Sequence, residues 1–129
     1  MSEHLKKILL VDDNEDSLDM LELFLYQSYD IKTASNGLEG FDKALTTIPD
    51  IIITDIIMSE LDGIAFFNKL KTSVETKDIP VIVVTAFTKN HSIKSLLNIG
   101  FNDVILKPIS RIDIIKSISK VLEQIGKKS

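Results

Sequence analysis

Five short apolar runs recur along the chain, at Ile8–Val11, Ile31–Ala34, Ile51–Thr54, Val81–Thr85 and Val104–Leu106. Three of them are nearly continuous in Ile, Val and Leu, the pattern of strands covered on both faces. Between the runs, apolar residues fall at helical spacing. Glu15–Tyr29 carries Leu18, Leu21, Phe24 and Leu25, and Gly37–Thr47 carries Leu38, Phe41 and Leu45, with Ile48 close behind. Gly63–Thr72 has Ile64, Phe67 and Leu70, Lys89–Ile99 has Ile93, Leu96 and Leu97, and a last helix is expected from about Arg111 to Ile125. Asn36-Gly37 starts one helix, Gly100 ends another, and Pro49, Pro80 and Pro108 fall at junctions. Strands alternating with helices, through connections too long for hairpins, predict an α/β fold: a five-stranded parallel sheet with helices on both faces. Periodicity leaves the strand order open.

The last helix has a pattern of its own. At about 100° per residue, Ile114, Ile118, Val121, Leu122 and Ile125 form one stripe, Ile115 lies on its edge and Ile112 falls outside it. Ile112 then belongs either to a wide buried face or helix-start contact, or to an apolar patch, near Val104, for a partner or a second copy.

No internal repeat, low-complexity tract or linker breaks the pattern, so 1–129 reads as a single domain with its core at about 6–125. The chain ends with its last helix, and no output domain is expected within it. A length of 129 residues, 44% of them hydrophobic and 26% charged, suits one folded core without staples. The absence of Cys excludes disulfides, thiolate metal sites and thiol catalysis. With no signal-peptide pattern in Met1–Lys7, the expected location is cytoplasmic. The longest apolar runs are far short of the roughly 20 residues that cross a bilayer, so no membrane partner is expected. A net charge of −4 argues against direct nucleic-acid binding, and Lys127-Lys128 reads as a solvated tail.

In open α/β sheets, ligands sit beyond the carboxyl ends of the strands. The residues there are Asp12-Asp13-Asn14, Ser35-Asn36, Asp55, Thr85-Ala86 and Lys107-Pro108. Carboxylates gathered at one sheet edge repel unless a cation joins them, and an all-oxygen set suits a hard cation such as Mg²⁺. A carboxylate not consumed by the metal is a nucleophile toward phosphorus, and an ammonium and a hydroxyl supply the partners that phosphoryl oxygens need. Each signal alone has an ordinary structural explanation. Asp12-Asp13-Asn14 also fits a helix N-cap, Asp55 a strand-ending turn residue, Thr85 a strand former and Lys107 a loop lysine. All four explanations must hold together for the site to be empty of chemistry.

The ordered set of segments resembles the response-regulator receiver family from Lys6 to about Ile125. It comprises Lys7-Ile8-Leu9-Leu10-Val11-Asp12-Asp13-Asn14, Ala34-Ser35-Asn36-Gly37, Pro49-Asp50-Ile51-Ile52-Ile53-Thr54-Asp55, Met58, Asp62-Gly63, Ile79-Pro80-Val81-Ile82-Val83-Val84-Thr85-Ala86 and Lys107-Pro108. The resemblance implies the flavodoxin-like receiver fold, with strand order 2-1-3-4-5, two helices on one face and three on the other. It implies a phosphoacceptor of a two-component system or phosphorelay rather than a classical enzyme, with Asp55 as the acceptor. Asp13 would bind Mg²⁺ (Mn²⁺ a possible substitute) directly, Asp12 mainly through metal-bound water, and Asp55 and the backbone carbonyl of Ile57 would complete the protein ligands. Thr85 and Lys107 would each take a phosphoryl oxygen, with a Lys107-Pro108 bond that is often cis in the family. The implied partners are a histidine kinase or phosphotransfer protein upstream, and a downstream protein target or tethered output domain. Independently of the resemblance, the apolar patch on the last helix carries the expectation of a homodimer through that region.

Departures from the family's pattern carry their own expectations. Val104 stands where the family often has an aromatic residue whose swing is coupled to the Thr. Ser59 stands where a proline is common, and Ile57 and Phe87 present hydrocarbon where polar groups can orient an attacking water. A slow loss of the phosphoryl group follows, with output carried by the loop after Thr85 and the next helix. Two rivals are disfavoured by particular residues. A haloacid-dehalogenase-type phosphohydrolase looks for Asp two positions after its nucleophile, where this chain has Ile57. A flavodoxin-like nucleotide binder needs a Gly- or hydroxyl-rich loop after the first strand, where Asp12-Asp13 would repel a phosphate in the absence of metal. A degenerate docking module is disfavoured because all five chemical positions are filled.

Overall fold

A computed structural model describes residues 5–58, 60–86 and 91–126. Five strands and five helices alternate: β1 (Lys7–Val11), α1 (Glu15–Leu25), β2 (Asp30–Ala34), α2 (Gly37–Thr47), β3 (Ile51–Thr54), α3 (Gly63–Leu70), β4 (Val81–Thr85), α4 (Ile93–Ile99), β5 (Asp103–Leu106) and α5 (Arg111–Gly126). The sheet is wholly parallel with order β2-β1-β3-β4-β5. The expected order and layering are therefore the observed ones.

The two faces follow from the two-residue period of a strand. In β1, Ile8 and Leu10 point to one layer with Ile51, Ile53, Ile82 and Val84. Leu18, Leu21 and Leu25 of α1 and Ile114, Ile118 and Val121 of α5 close that layer. Leu9 and Val11 point the other way, to a layer with Ile52, Val81 and Val83 that Ala44, Phe66, Phe67, Leu70 and Leu96 of α2, α3 and α4 cover. Truncating a residue such as Ile53, buried in β3, to Ala would cost about 2–5 kcal/mol.

Three helix boundaries differ from the sequence expectation, one of them at α3, which ends at Leu70 rather than Thr72. α1 stops at Leu25 rather than Tyr29, because the Leu25 carbonyl accepts from both Ser28 and Tyr29 N–H, which closes the chain into a turn before β2. α4 begins at Ile93, where Ser92 and Ser95 form a reciprocal capping box, while Lys89 lies outside the described residues. Asn14, Asn36 and Asp62 cap α1, α2 and α3 through their side-chain oxygens. On α5 the stripe is buried through Ile114, Ile118 and Val121, Ile115 and Leu122 are half-buried, and Ile112 is 68% exposed. The wide-buried-face reading of Ile112 is thereby excluded.

One polar tie crosses the β5–α5 seam. The buried Ser117 hydroxyl donates to Asp103 Oδ2 at 2.6 Å, and Lys120 Nζ lies 3.0 Å from the same oxygen. Burial alone would raise the Asp103 pKa, but the Ser117 bond and then Lys120 overcome it and hold the group below its ordinary value of 3.8. Because the folded pKa lies below the unfolded one, the tie stabilises the fold above about pH 3.8 and is lost as pH falls through the lower folded value. Asp103→Ala also strands the Ser117 hydroxyl, a loss of about 1–3 kcal/mol at pH 7. Thermal unfolding of both proteins across pH should show that deficit narrowing below the ordinary carboxylate range; a deficit independent of pH would contradict the ionic tie.

Candidate functional site

Strand order reverses direction at β1 and β3, and the crevice beyond their carboxyl ends is where this architecture places ligands. Sheet hydrogen bonding continues one residue past the strands there. Asp12 N–H donates to the Ala34 carbonyl and Asp55 N–H to the Val11 carbonyl, both at 3.1 Å, so Asp12 and Asp55 leave the sheet side by side. At the next pair, Lys107 N–H donates to the Thr85 carbonyl at 2.9 Å, just beyond the Thr85–Leu106 register pair. The Lys107-Pro108 peptide is cis.

These backbones bring three charged groups into contact. Lys107 Nζ lies 2.8 Å from Asp55 Oδ2 and 3.1 Å from Asp12 Oδ2. Each carboxylate's other oxygen is held by a backbone N–H: Asp55 Oδ1 by Ile56 at 2.6 Å and Asp12 Oδ1 by Asn14 at 2.9 Å. Asp12 and Asp55 are both buried. Burial raises the Asp12 pKa above 3.8; the Asn14 bond and Lys107 only partly offset it, and the Asp55 charge adds to the rise. For Lys107, burial works to lower the pKa, but the bonds to Asp55 and then Asp12 outweigh it, so the ammonium is held charged above its ordinary 10.5.

The other residues singled out in the sequence lie at or just beyond the same strand ends. Thr85 is buried at the end of β4. Asp13 has an exposed side chain, and Ile57, two residues past Asp55, is 62% exposed. Among the described residues no three acidic or imidazole groups converge at metal-ligand spacing. The two converging carboxylates are nevertheless a fitting donor set for Mg²⁺, which takes one or two carboxylates and keeps several waters. Ser59 and Phe87 lie outside the described residues.

Two features of the loop after β3 acquire a reason in three dimensions. Gly63 N–H donates to the Ile56 carbonyl at 2.7 Å, and a β-carbon on Gly63 would collide with the Asp55 carbonyl oxygen. Thr54, which the sequence presents only as a strand residue, is buried and donates its hydroxyl to that same carbonyl at 2.9 Å. Its one sequence signal is a lone hydroxyl closing a run of three isoleucines.

The profile of the response regulator receiver domain matches residues 8–119. The chain belongs to that family. As a receiver domain it is 33% identical over 120 residues to the alkaline phosphatase synthesis transcriptional regulatory protein PhoP of Bacillus subtilis, a match spanning 92% of this chain and 49% of that protein. This receiver thus spans about half the length of that regulator. The crystal structure of a response regulator from Desulfuromonas acetoxidans superposes with a TM-score of 0.84 at 33% identity, covering 92% of this chain and 98% of that one. The receiver domain of a sensor histidine kinase from Pseudomonas aeruginosa shares the fold, with a TM-score of 0.84 at 23% identity over 92% of this chain and 98% of that one; it has a magnesium ion coordinated in its active-site cleft. Receiver domains of two-component regulators are phosphoacceptors.

Gly63→Ala should cost about 1–3 kcal/mol, as for overpacking against backbone that has no room to yield. Urea denaturation checks this, and an unchanged midpoint would mean that the loop carrying Asp55 can shift freely.

Proposed function

We propose that this receiver accepts a phosphoryl group on Asp55 from a phosphohistidine of a kinase or phosphotransfer partner. The observation that carries the reading is the shared ammonium: Lys107 reaches Asp55 and Asp12, from residues 52 and 95 positions away in sequence, at the carboxyl edge of the sheet. The Ile56 N–H holds Asp55 Oδ1, and Oδ2, turned toward the Lys107 ammonium that is to receive the phosphoryl charge, is the attacking oxygen. It forms the O–P bond as the P–N bond to the partner's imidazole breaks, and the imidazole nitrogen keeps the electron pair. Lys107 then transfers its contact from the carboxylate to a phosphoryl oxygen, and the Thr85 hydroxyl donates to another.

Asp12, Asp13, Asp55 and the Ile57 carbonyl are the groups that would hold Mg²⁺. The ion would neutralise charge on the phosphoryl oxygens. Support for it lies in the all-oxygen donor chemistry and in the two buried carboxylates that one ammonium bridges. The magnesium in the Pseudomonas aeruginosa receiver accords with this. Mn²⁺ suits the same donors.

The resulting change in charge at the β4 and β5 ends would be read by a target protein or by an output domain in the same polypeptide. The exposure of Ile112 on α5 and of Leu106 on β5 supports this region, or a homodimer through it, as the reading surface. No helix among the described residues is long and apolar enough to cross a membrane.

Incubation with Mg²⁺ and acetyl phosphate should add one phosphate to the intact protein by mass spectrometry, and Asp55→Asn or EDTA should abolish it. An undiminished adduct in Asp55→Asn would sink the reading. Beryllofluoride, a phosphoryl mimic, tests Lys107 separately. Removing a contact to a charged group, worth about 1.5–3 kcal/mol, should weaken its binding to Lys107→Ala roughly 10- to 150-fold. Equal affinity would rule the pairing out.

A further inference from the structure

The Thr54 hydroxyl is an anomaly in its surroundings. Its register partners are Val11 on β1 and Val83 on β4, both buried in the apolar layer beneath α2, α3 and α4. Valine has the same shape and would fill this place without burying a hydroxyl, which is unfavourable unless the hydroxyl finds a partner. Thr54 is 1% exposed, and its Oγ1 lies 2.9 Å from the Asp55 carbonyl oxygen and 3.9 Å from Met58 Sδ. The carbonyl takes the hydroxyl's single proton, since a thioether is a weak acceptor.

That carbonyl belongs to the peptide joining Asp55 to Ile56, and a peptide is a rigid plane. Its other end is the Ile56 N–H, which holds Asp55 Oδ1 at 2.6 Å. Fixing the carbonyl end therefore fixes where the N–H points and which carboxylate oxygen it occupies. Oδ2 is left turned toward Lys107 at 2.8 Å. The next peptide is secured in turn by the Gly63 N–H bond to the Ile56 carbonyl.

We propose that Thr54 is a positioning residue for the acceptor: its buried hydroxyl locks the Asp55–Ile56 peptide, and through the Ile56 N–H it sets the Asp55 carboxylate with Oδ2 facing Lys107. The inference rests on the reading of Asp55 as phosphoacceptor for its purpose, and on the geometry of one peptide for its mechanism. Without the hydroxyl the peptide rotates, Oδ1 loses its N–H, and both carboxylate oxygens sample orientations away from the incoming phosphorus.

Two measurements on the full chain separate mechanism from purpose, using Thr54→Val and Thr54→Ser. Amide hydrogen exchange in metal-free protein, read at Ile56 against the sheet-centre amides of Leu10 and Val83, reports the lock itself. Losing about one hydrogen bond should speed exchange at Ile56 about tenfold in Thr54→Val, with Leu10 and Val83 unchanged. The rate of Asp55 modification by acetyl phosphate with Mg²⁺ should fall by a comparable factor of about ten. Thr54→Ser keeps the hydroxyl and should stay within about twofold of wild type in both. Unchanged Ile56 exchange in Thr54→Val overturns the proposal whatever the chemistry does. So does faster exchange with an unchanged rate, or a Ser variant as impaired as the Val variant, which would implicate the methyl rather than the hydroxyl. Wild type that acquires no phosphate on Asp55 removes the acceptor reading instead, and the exchange result then decides the peptide lock by itself.

Discussion

The ammonium of Lys107 between Asp12 and Asp55 is the interaction around which the carboxyl end of this sheet is organised. Two buried carboxylates lie side by side in a low-dielectric setting only with a cation between them; burial first, and the neighbouring Asp55 charge in smaller part, raise the Asp12 pKa, and Lys107 works against that rise. The opposing rise at Lys107 shows the same balance from the other partner. A site built this way responds to any new charge placed in it, because one ammonium is already shared between two carboxylates. Under the proposed function, a phosphoryl group on Asp55 is such a charge, and the response begins with the redistribution of Lys107.

The rest of the fold keeps these groups in place. Parallel pairing of β1 with β3 and of β4 with β5 continues one residue past the strand ends, so the backbones that carry Asp12, Asp55 and Lys107 are themselves hydrogen-bonded. Two apolar layers brace the sheet from opposite sides. The loop after β3 is fixed by Gly63 beneath the Asp55 carbonyl, the Ile56–Gly63 bond, the Thr54 hydroxyl and the burial of Ile56 and Met58 in the apolar layer. Away from the site, Asp103, Ser117 and Lys120 tie β5, the edge strand that leads into Lys107, to α5. Val104, half-buried against the layer under α4, has no aromatic ring to swing.

The sequence alone determined the alternation of elements and the nomination of Asp12, Asp55, Thr85 and Lys107, for a simple reason. Burial on both faces forces continuous apolar runs, and the polar residue that ends each run marks the sheet's edge. Ile51–Thr54 and Val81–Thr85 were legible to the residue on that basis. Helix ends were less legible: that Leu25 rather than Tyr29 closes α1 depends on one carbonyl accepting two amides, which no periodicity encodes. Tertiary structure alone decided which groups touch. Lys107 shared between two carboxylates depends on register between residues far apart in the chain, Ile112 turned to solvent on how the last helix packs, and Thr54 facing the neighbouring carbonyl on the local course of the chain as it leaves the sheet. A hydrophobic pattern specifies which face a residue occupies, but a hydrogen bond requires atoms within about 3 Å, and only the packed chain brings them there.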